Sequence, residues 1–246
     1  GLVMRALEPI WTTLPETASR VRGRIESVLA WATVRGHRSG DNPARWRNHL
    51  DQLLPARSKV AKVEHHAALP YAQVGAFVAS LREQEVIAAR AVELIVLTAA
   101  RTSEVINAQW SEFDLTGGVW VVPADRMKAG KEHRVPLSSA ALKMLRALHE
   151  VTGGESWVFP GAREGRPLSN MAGLKLLQRM GYGEVTVHGF RSSFRDWSAE
   201  RTNYPREVCE AALAHVVSNA TEAAYRRGDL FDKRHRLMED WSKFCE

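Results

Sequence analysis

The sequence has few of the residues and runs that define several large protein classes. Its 246 residues include two cysteines, Cys209 and Cys245, which are too few for a disulfide framework or a four-cysteine zinc site. We expect both to be reduced packing residues. No run approaches the ~20 apolar residues that a membrane span needs, and Gly1 to Met4 are followed by charge rather than by a signal-peptide core. These absences predict a cytoplasmic protein.

Motifs that would bind nucleotides or metal ions are missing as well. The chain has no Gly-x-x-x-x-Gly-Lys-Ser/Thr loop, no His-Glu-x-x-His pair and no Asp-x-Asp cluster. We therefore expect no cofactor and no metal site, which disfavours a metal-dependent nuclease. His65 and His66 form an isolated pair, to which we assign no role.

The composition predicts a folded protein with an uneven charge distribution. Hydrophobic residues make up 45% of the chain, enough for one large or two modest cores. The net charge is +6, and the excess lies in residues 1–62, which hold 11 Lys and Arg against 5 Asp and Glu. A basic excess in one segment is typical of a grip on the DNA phosphate backbone, although a solvated basic helix would give the same count.

Residues 1–55 are predicted to form a small helical DNA-binding domain. Apolar residues repeat near a 3.6-residue period between residues 16 and 35, which predicts an amphipathic helix. Arg20, Arg22 and Arg24 lie largely off the apolar stripe, so they are candidate DNA contacts.

A second helix and a linker are predicted to complete this region. Asp41 to Pro43 predict the start of a helix that ends near Leu54. Residues 56–66 are basic and aperiodic, so we interpret them as a linker between two domains, where positive charge would suit a segment that crosses DNA. Candidate DNA contacts in the linker are Lys59 and Lys62. The tryptophans expected in the small core are Trp11, Trp31 and Trp46.

Residues 67–246 are predicted to form one larger domain, mainly α-helical with a small β-sheet. The nearly apolar run Val86–Ala100 predicts a buried helix. Val119–Val122 and Glu132–Leu137 predict a hairpin that turns at Ala129-Gly130. Further helices are expected near residues 70–81, 138–150, 169–180 and 231–244, and the third of these offers Lys175 and Arg179 as candidate DNA contacts.

An arginine follows directly on the apolar run, at Arg101, with Glu104 three residues later. Burying an arginine there is costly unless an anion or a carboxylate meets it. Arg101 therefore either binds a phosphate with the support of Glu104, or forms an ordinary ion pair at a helix end. The hairpin turn carries Lys128 and Lys131, which either contact a bound strand or are simply exposed.

Four residues in the last third of the chain provide chemistry that a phosphodiester needs. His188 and Arg191 stand three apart on a helix predicted to begin near Gly189, so a titratable ring and a planar cation can share one phosphate. His215 ends a short helix, and Tyr225 is expected about two turns into the next one. Two arginines follow Tyr225 and would favour its phenolate form.

Together these motifs resemble those of the tyrosine recombinases, and within them the prophage-type integrases. The resemblance rests on Arg-x-x-Glu at 101–104, on His-Gly-Phe-Arg at 188–191, and on Leu-Ala-His ten residues before Ala-Tyr-Arg. It covers most of residues 5–246. The chain departs from the family at Ala99, where glycine is frequent. This departure concerns the conformation of the local turn and not the chemistry.

The resemblance implies a metal-free transesterification. Tyr225 would attack the scissile phosphate, form a covalent 3′-phosphotyrosine and release a 5′-hydroxyl. Arg101 and Arg191 would bind the non-bridging oxygens bidentately, with Glu104 supporting Arg101. The remaining implied roles are a general acid at Lys128, with Lys131 as the alternative, a proton acceptor at His188, and a hydrogen-bond donor to the phosphate at His215.

The resemblance also implies partners and a domain organisation. The expected partners are the double-stranded DNA of an attachment site, further copies of the chain in a tetrameric synapse, and accessory DNA-bending proteins, with no membrane. Only the end of the family's core-binding domain is recognised before the catalytic domain, and no arm-site domain precedes it. We therefore expect a fragment that can cleave but binds DNA weakly. The last helix is expected to dock either in a neighbour's groove, as in the family, or on its own domain.

Two other functions stay open at this point. A type IB topoisomerase-like enzyme would use the same residues to nick and reseal DNA, and would relax supercoils without sequence preference. A non-catalytic DNA-binding module would bind through the basic amino-terminal segment and use the histidines and the tyrosine for packing. Covalent trapping on DNA separates the enzymes from the module.

Overall fold

The computed structural model describes residues 1–60, 67–215 and 228–246 and divides into two units, Gly1–His65 and His66–Glu246. The described residues are mainly helical with one small antiparallel sheet, which confirms the predicted fold class. No helix in these ranges combines the length and the apolar composition that crossing a bilayer requires.

The described part of the first unit packs three helices and a 3₁₀ turn over a small core. Its elements are α1 (Leu2–Trp11), α2 (Pro15–Val34), a 3₁₀ turn (Leu50–Gln52) and α3 (Arg57–Val60). The periodicity of residues 16–35 predicted α2, whereas α1 was not anticipated. Buried in the core are Leu7, Trp11, Ala18, Leu50 and Leu54.

The tryptophans of this unit differ in environment. Trp11 is buried and stacks on Trp46, with ring centroids 5.4 Å apart. Trp31 is 56% exposed, so its prediction as a core residue is wrong. Trp31 lies near the end of α2 on a face that the few surrounding residues do not cover.

The second helix predicted after residues 41–43 is also wrong, because polar side chains take over the backbone bonds there. The Asn42 amide donates to the Glu26 carbonyl at 2.8 Å, and its oxygen accepts from the Ala44 amide at 3.0 Å. The Asp51 carboxylate accepts from the backbone of Asn48 and His49. Such local bonds compete with helical ones, and a left-handed Asn48 (φ 56°) breaks the run further.

The second unit surrounds a buried central helix. The helices, in chain order, are α4 (Val74–Arg82), α5 (Ile87–Thr98), α6 (Thr102–Ile106), α7 (Ser139–Thr152), α8 (Ala172–Arg179), α9 (Gly189–Arg201), α10 (Arg206–Ala212) and α11 (Phe231–Phe244). Ten of the twelve residues of α5 are buried, as the apolar run predicted, and α4, α7, α8, α9 and α11 pack around it. The expected helices near residues 70–81, 138–150, 169–180 and 231–244 are confirmed.

A three-stranded antiparallel sheet lies between α6 and α7 in the chain. Its strands are β1 (Phe113–Asp114), β2 (Val119–Val122) and β3 (His133–Pro136), in that spatial order. Trp120 of β2 pairs with Val135 of β3, and both side chains are buried. The hairpin of β2 and β3 was predicted, but the two-residue β1 was too short to show a pattern.

Helix α11 docks on its own unit. Leu237, Met238 and Trp241 are buried, and the Trp241 indole donates to the Val96 carbonyl of α5 at 2.7 Å. Of the two expectations for this helix, the structure therefore has the intramolecular one. The buried face explains the apolar residues of this otherwise charged helix.

Removing the Trp241 side chain should expose how much this docking stabilises the unit. Trp241→Ala leaves a large cavity and an unpaired Val96 carbonyl, so we expect the free energy of unfolding to fall by about 3–5 kcal/mol. Lys243→Ala, at an exposed position of the same helix, should change it by less than about 0.5 kcal/mol. Urea titration measures both, and equal effects would show that α11 is not docked.

Candidate active site

Two arginines that are 90 residues apart in the chain converge on neighbouring carbonyl groups. Arg191 donates through Nη2 to the Leu213 carbonyl at 2.7 Å, and Arg101 donates through Nη2 to the Ala214 carbonyl at 3.1 Å. The charge of Arg101 also acts on the Arg191 guanidinium, so the two groups lie near each other. Together they form one positive region.

The end of α10 explains why these carbonyls are available. The His215 amide donates to the Glu210 carbonyl at 3.0 Å, and the Ala214 amide donates to the Ala211 carbonyl at 3.1 Å. These two bonds, together with a left-handed Ala214 (φ 49°), form a Schellman motif, which turns the chain sharply after the helix. The carbonyls of Leu213 and Ala214 are left outside the helical ladder, where the arginines bind them.

Arg191 is almost fully buried between two helix ends. Only 5% of the residue is exposed, and Nη1 donates to the Ala99 carbonyl at the end of α5. Ala99 is itself left-handed (φ 50°), which is the conformation that glycine favours, so this departure from the family is accommodated by strain in the turn. Carbonyls at helix carboxy-terminal ends carry partial negative charge, which offsets the cost of burying the guanidinium.

Burial and the neighbouring Arg101 lower the pKa of the Arg191 guanidinium from 12.5 to about 10, and Glu104 partly opposes this shift. At neutral pH Arg191 is still charged. Two cations held this close, one of them buried, make a strong site for an anion with several oxygen atoms.

Glu104 holds Arg101 in place, as the sequence suggested. Its Oε1 is 2.7 Å from Nη1 of Arg101, and its Oε2 accepts from the Arg101 backbone amide at 2.9 Å. Glu104 is only 3% exposed, whereas the Arg101 side chain is 21% exposed. The carboxylate thus caps the start of α6 and orients a guanidinium that solvent, or a ligand, can still reach.

A third arginine ties the hairpin to this pair. Arg126 forms an ion pair with Glu112 and donates to the carbonyl of Glu104. Glu112 in turn accepts from the Trp120 indole at 2.9 Å. These bonds fix the base of the hairpin next to α6. Arg126 belongs to no motif that would have singled it out in the sequence.

Lys128 and Lys131 both lie on the exposed turn of that hairpin. Gly130 is left-handed (φ 61°), and the buried Met127 anchors one side of the turn. Lys128 stays our candidate for the general acid, with Lys131 as the alternative.

His188 stands at the start of α9, one helical turn from Arg191 and exposed. The residue that follows His188 has a packing reason to be glycine. A Cβ on Gly189 would lie 2.4 Å from the Ala67 carbonyl oxygen and 2.9 Å from Cα of Ala68, closer than such atoms pack. Ala67 also accepts from the Thr186 amide at 3.1 Å, so this contact sets where α9 begins.

His215 has a carboxylate partner that the sequence analysis missed. Its Nδ1 lies 2.6 Å from Oε2 of Glu210, and its Nε2 lies 3.3 Å from Nη2 of Arg191. The other Glu210 oxygen accepts from Nε of Arg195 at 2.9 Å. Glu210 stands five positions before His215, whereas side chains in contact on a helix are three or four apart. Only the sharp turn after α10 brings the two together.

Two of the expected residues lie outside the described ranges. Tyr225, the expected nucleophile, is in 216–227, and Lys62 is in 61–66. Arg101, Arg191, Glu104 and His215 are brought together, and His188 begins the helix that carries Arg191.

The remaining candidate DNA contacts differ in exposure. Arg20 is exposed and pairs with Glu16, whereas the Arg22 side chain is only 16% exposed. Arg22 turns inward because it donates to the Ala44 carbonyl and pairs with Glu26. Exposed on the surface are Arg24, Lys59, Lys175 and Arg179, the first two in the first unit and the last two on α8.

The described residues contain no cluster of three or more His, Cys, Asp or Glu side chains that could hold a metal ion. The described acidic residues around the arginines, Glu104, Glu112 and Glu210, are each paired with a guanidinium. What this arrangement can do is bind an oxyanion.

His133, at the start of β3, is a further titratable group near the site. Burial, and then the charge of Arg234, lower its pKa from 6.5 to about 4, while Glu104 opposes the shift. The folded protein therefore keeps His133 neutral at a pH where the unfolded chain binds a proton. Its contribution to stability is complete above pH 6.5 and is lost progressively as the pH falls toward 4.

Replacing His133 should reduce the acid sensitivity of the fold. Between pH 7.5 and pH 5, protonation of His133 in the unfolded chain should lower the wild-type free energy of unfolding by about 2 kcal/mol. In His133→Gln the fall over the same pH range should be smaller by this amount. His235→Gln, at an exposed position of α11, is the control and should keep it. Urea titrations at the two pH values give the difference, and an unchanged pH dependence in His133→Gln would contradict the assignment.

Known protein families match most of this chain. Residues 68–230, more than half of the chain, match the model of the phage integrase family, and residues 1–49 match the phage integrase central domain. The chain is 32% identical to prophage integrase IntZ of Escherichia coli K12 over 98% of its own length and 58% of that protein. It is 30% identical to the integrase of Enterobacteria phage P4 over 94% of its length and 55% of that protein.

Among solved structures, a lambda integrase tetramer bound to a Holliday junction is similar, with a TM-score of 0.62. The match covers 90% of this chain and 62% of the lambda integrase chain. At 19% identity this match shows a common fold. The chain spans a little over half the length of the two relatives. Because the family model covers most of the second unit, with Arg101, His188, Arg191 and His215 inside it, the chain belongs to the phage integrase family.

Proposed function

We propose that the chain carries the catalytic part of a site-specific DNA recombinase. It would cleave and rejoin DNA strands through a covalent 3′-phosphotyrosine on Tyr225, for the integration or excision of a mobile element. The observation that carries this proposal is the convergence of Arg101 and Arg191 on the adjacent carbonyls of Leu213 and Ala214. A site for one phosphate with two guanidinium groups suits the transition state of phosphoryl transfer.

The two arginines would bind the two non-bridging oxygens. A guanidinium has five N–H donors, and Arg101 uses two of its side-chain groups in the bonds to Glu104 and Ala214, so it retains donors for a phosphate. Arg191 is buried and held from both sides, so it loses little conformational freedom on binding.

The reaction would then proceed by exchange of one ester for another. The Tyr225 hydroxyl would attack phosphorus while His188 accepts its proton, and the bond from phosphorus to the 5′ oxygen would break. Lys128, or Lys131, would protonate the departing oxygen, and His215 would donate a hydrogen bond to the phosphate. Because the phosphotyrosine ester stores the bond energy, the reverse step rejoins DNA without a nucleotide cofactor.

DNA would also be bound away from this site. We assign residues 1–55 to part of a core-binding domain, 56–66 to a basic linker and 67–246 to the catalytic domain. Exposed Arg20, Arg24 and Lys59 would contribute phosphate contacts in the first unit, and Lys175 and Arg179 would do so in the second. The inward Arg22 would act by holding the fold of the first unit rather than by direct contact.

The proposed setting is the bacterial cytoplasm, on DNA. The partners would be an attachment site, other copies of the chain in a tetrameric synapse, and accessory DNA-bending proteins. The lambda integrase tetramer on a Holliday junction supports this assembly by its similarity of fold.

Covalent trapping tests the proposed chemistry. The substrate is a pool of nicked duplexes with randomised flanking sequence. Cleavage releases the short strand that carries the 5′-hydroxyl, so the DNA cannot be rejoined. A protein–DNA adduct that resists detergent then accumulates. We expect adducts from wild type, with or without EDTA, and none from Tyr225→Phe, which should still bind DNA. Tyr204→Phe, at a tyrosine whose hydroxyl donates to Asp240, should form them normally.

Three other results would each overturn part of the proposal. An adduct from Tyr225→Phe would mean that the nucleophile is another residue. DNA binding without any adduct from wild type would make the chain a binding module. Relaxation of supercoiled DNA with no enriched sequence among the trapped strands would indicate a topoisomerase-like enzyme.

A further inference from the structure

We infer that Glu210 is a positioning residue for His215, and that a proton binds His215 Nε2 when the DNA phosphate enters the site. The inference deepens the proposed function and rests on it. It assigns a role to a carboxylate that lies on α10 and touches no proposed substrate atom. It also couples binding of the DNA phosphate to uptake of a proton by His215.

The geometry fixes which ring nitrogen faces the carboxylate. Nδ1 of His215 lies 2.6 Å from Oε2 of Glu210, while Nε of Arg195 lies 2.9 Å from Oε1. The carboxylate is thus held from two sides, with the Arg206 guanidinium 3.9 Å away. Partial burial would raise the pKa of Glu210, but the hydrogen bonds from His215 and Arg195 outweigh it and lower the pKa below its usual value. A carboxylate that stays ionised can only accept, so Nδ1 must carry a hydrogen atom and donate it.

The other ring nitrogen then has two states. Nε2 lies 3.3 Å from Nη2 of Arg191, which can only donate. With the hydrogen atom on Nδ1, Nε2 can accept the hydrogen bond from Arg191 only through its lone pair. To donate a hydrogen bond to a phosphate, Nε2 must first gain a proton from solvent, which makes the ring an imidazolium.

The surrounding charges make that proton uptake depend on both anions. Arg191 of α9 contacts the ring, and Arg195 of α9 and Arg206 of α10 lie beside its partner Glu210. Arg101 at the start of α6 binds the carbonyl of the preceding Ala214. A further cation among these guanidinium groups is unfavourable by itself. Glu210 offsets part of this repulsion through a charge-assisted bond, and the entering phosphate supplies the rest.

The pH dependence of adduct formation tests this role. Wild type, Glu210→Gln and the control Glu207→Gln, which removes one carboxylate from the same helix, are compared on the trapped sequence from pH 5.5 to 9. Without the carboxylate the imidazolium forms only at lower pH. We expect Glu210→Gln to approach the wild-type rate near pH 5.5 and to be ~10-fold slower at pH 8, a shift of about one pH unit or more in the upper limb. Titrations of His188 and the lysines are common to all three proteins and cancel in the comparison.

A second measurement does not require catalysis. Calorimetry of DNA binding by Tyr225→Phe, in two buffers with different ionisation enthalpies at pH 7.5, gives the number of protons taken up. We expect an uptake that is largely lost when either Glu210→Gln or His215→Asn is added to Tyr225→Phe.

Several results would overturn the inference. One is that Glu210→Gln forms the adduct more slowly than wild type by the same factor at every pH. Another is that the pH profile of Glu207→Gln shifts in the same way. The third is that proton uptake persists after both Glu210→Gln and His215→Asn are added. Failure of wild type to form an adduct would instead count against the proposed function. The calorimetric result would then still decide whether phosphate binding protonates His215.

Discussion

A buried guanidinium needs acceptors, and in the second unit those acceptors are the carbonyls that helices leave unsatisfied at their carboxy-terminal ends. Arg191 bridges the end of α5 at Ala99 and the end of α10 at Leu213, and Arg101 adds Ala214. Burying these helix ends or the Arg191 guanidinium without a partner would be costly. The candidate site exists because the two needs are satisfied by each other.

This constraint explains features that would otherwise look like defects. Two alanines, Ala99 and Ala214, adopt left-handed conformations that cost free energy for any residue with a Cβ. Both lie just past the ends of α5 and α10, and the arginines bind their carbonyls. The close approach of Ala67 to Gly189 places the start of α9, and therefore Arg191, at the required depth. Two of the four non-glycine residues with positive φ in the described ranges thus lie at this site.

The sequence predicted the elements whose signals are local. The apolar run of α5, the periodicity of α2 and the hairpin of β2 and β3 all depend on neighbours in the chain, and they were found. The pairing of Arg101 with Glu104 followed from a three-residue spacing, whereas its convergence with Arg191 was inferred from a family resemblance.

What the sequence did not reveal depends on turns and on distant contacts. Glu210 reaches His215 only through the Schellman turn, and Arg126 reaches Glu112 and Glu104 only through the sheet. The helix expected after Asp41 failed because Asn42 and Asp51 bind nearby backbone groups, which a start signal alone cannot exclude. Trp31 is exposed because a small unit has too little surface to cover every apolar side chain.

The central claim is that Arg101 and Arg191 act on one phosphate, and a double-mutant cycle on the rate of adduct formation tests it most directly. Arg101→Lys and Arg191→Lys keep the charges but lose the fork of the guanidinium, so each should slow the reaction by about 100-fold or more. If both bind the same phosphate, the double variant should be little slower than the slower single variant, because the pair acts as a unit. Effects that multiply fully in the double variant would mean that the two arginines act at separate places, and the account would be wrong.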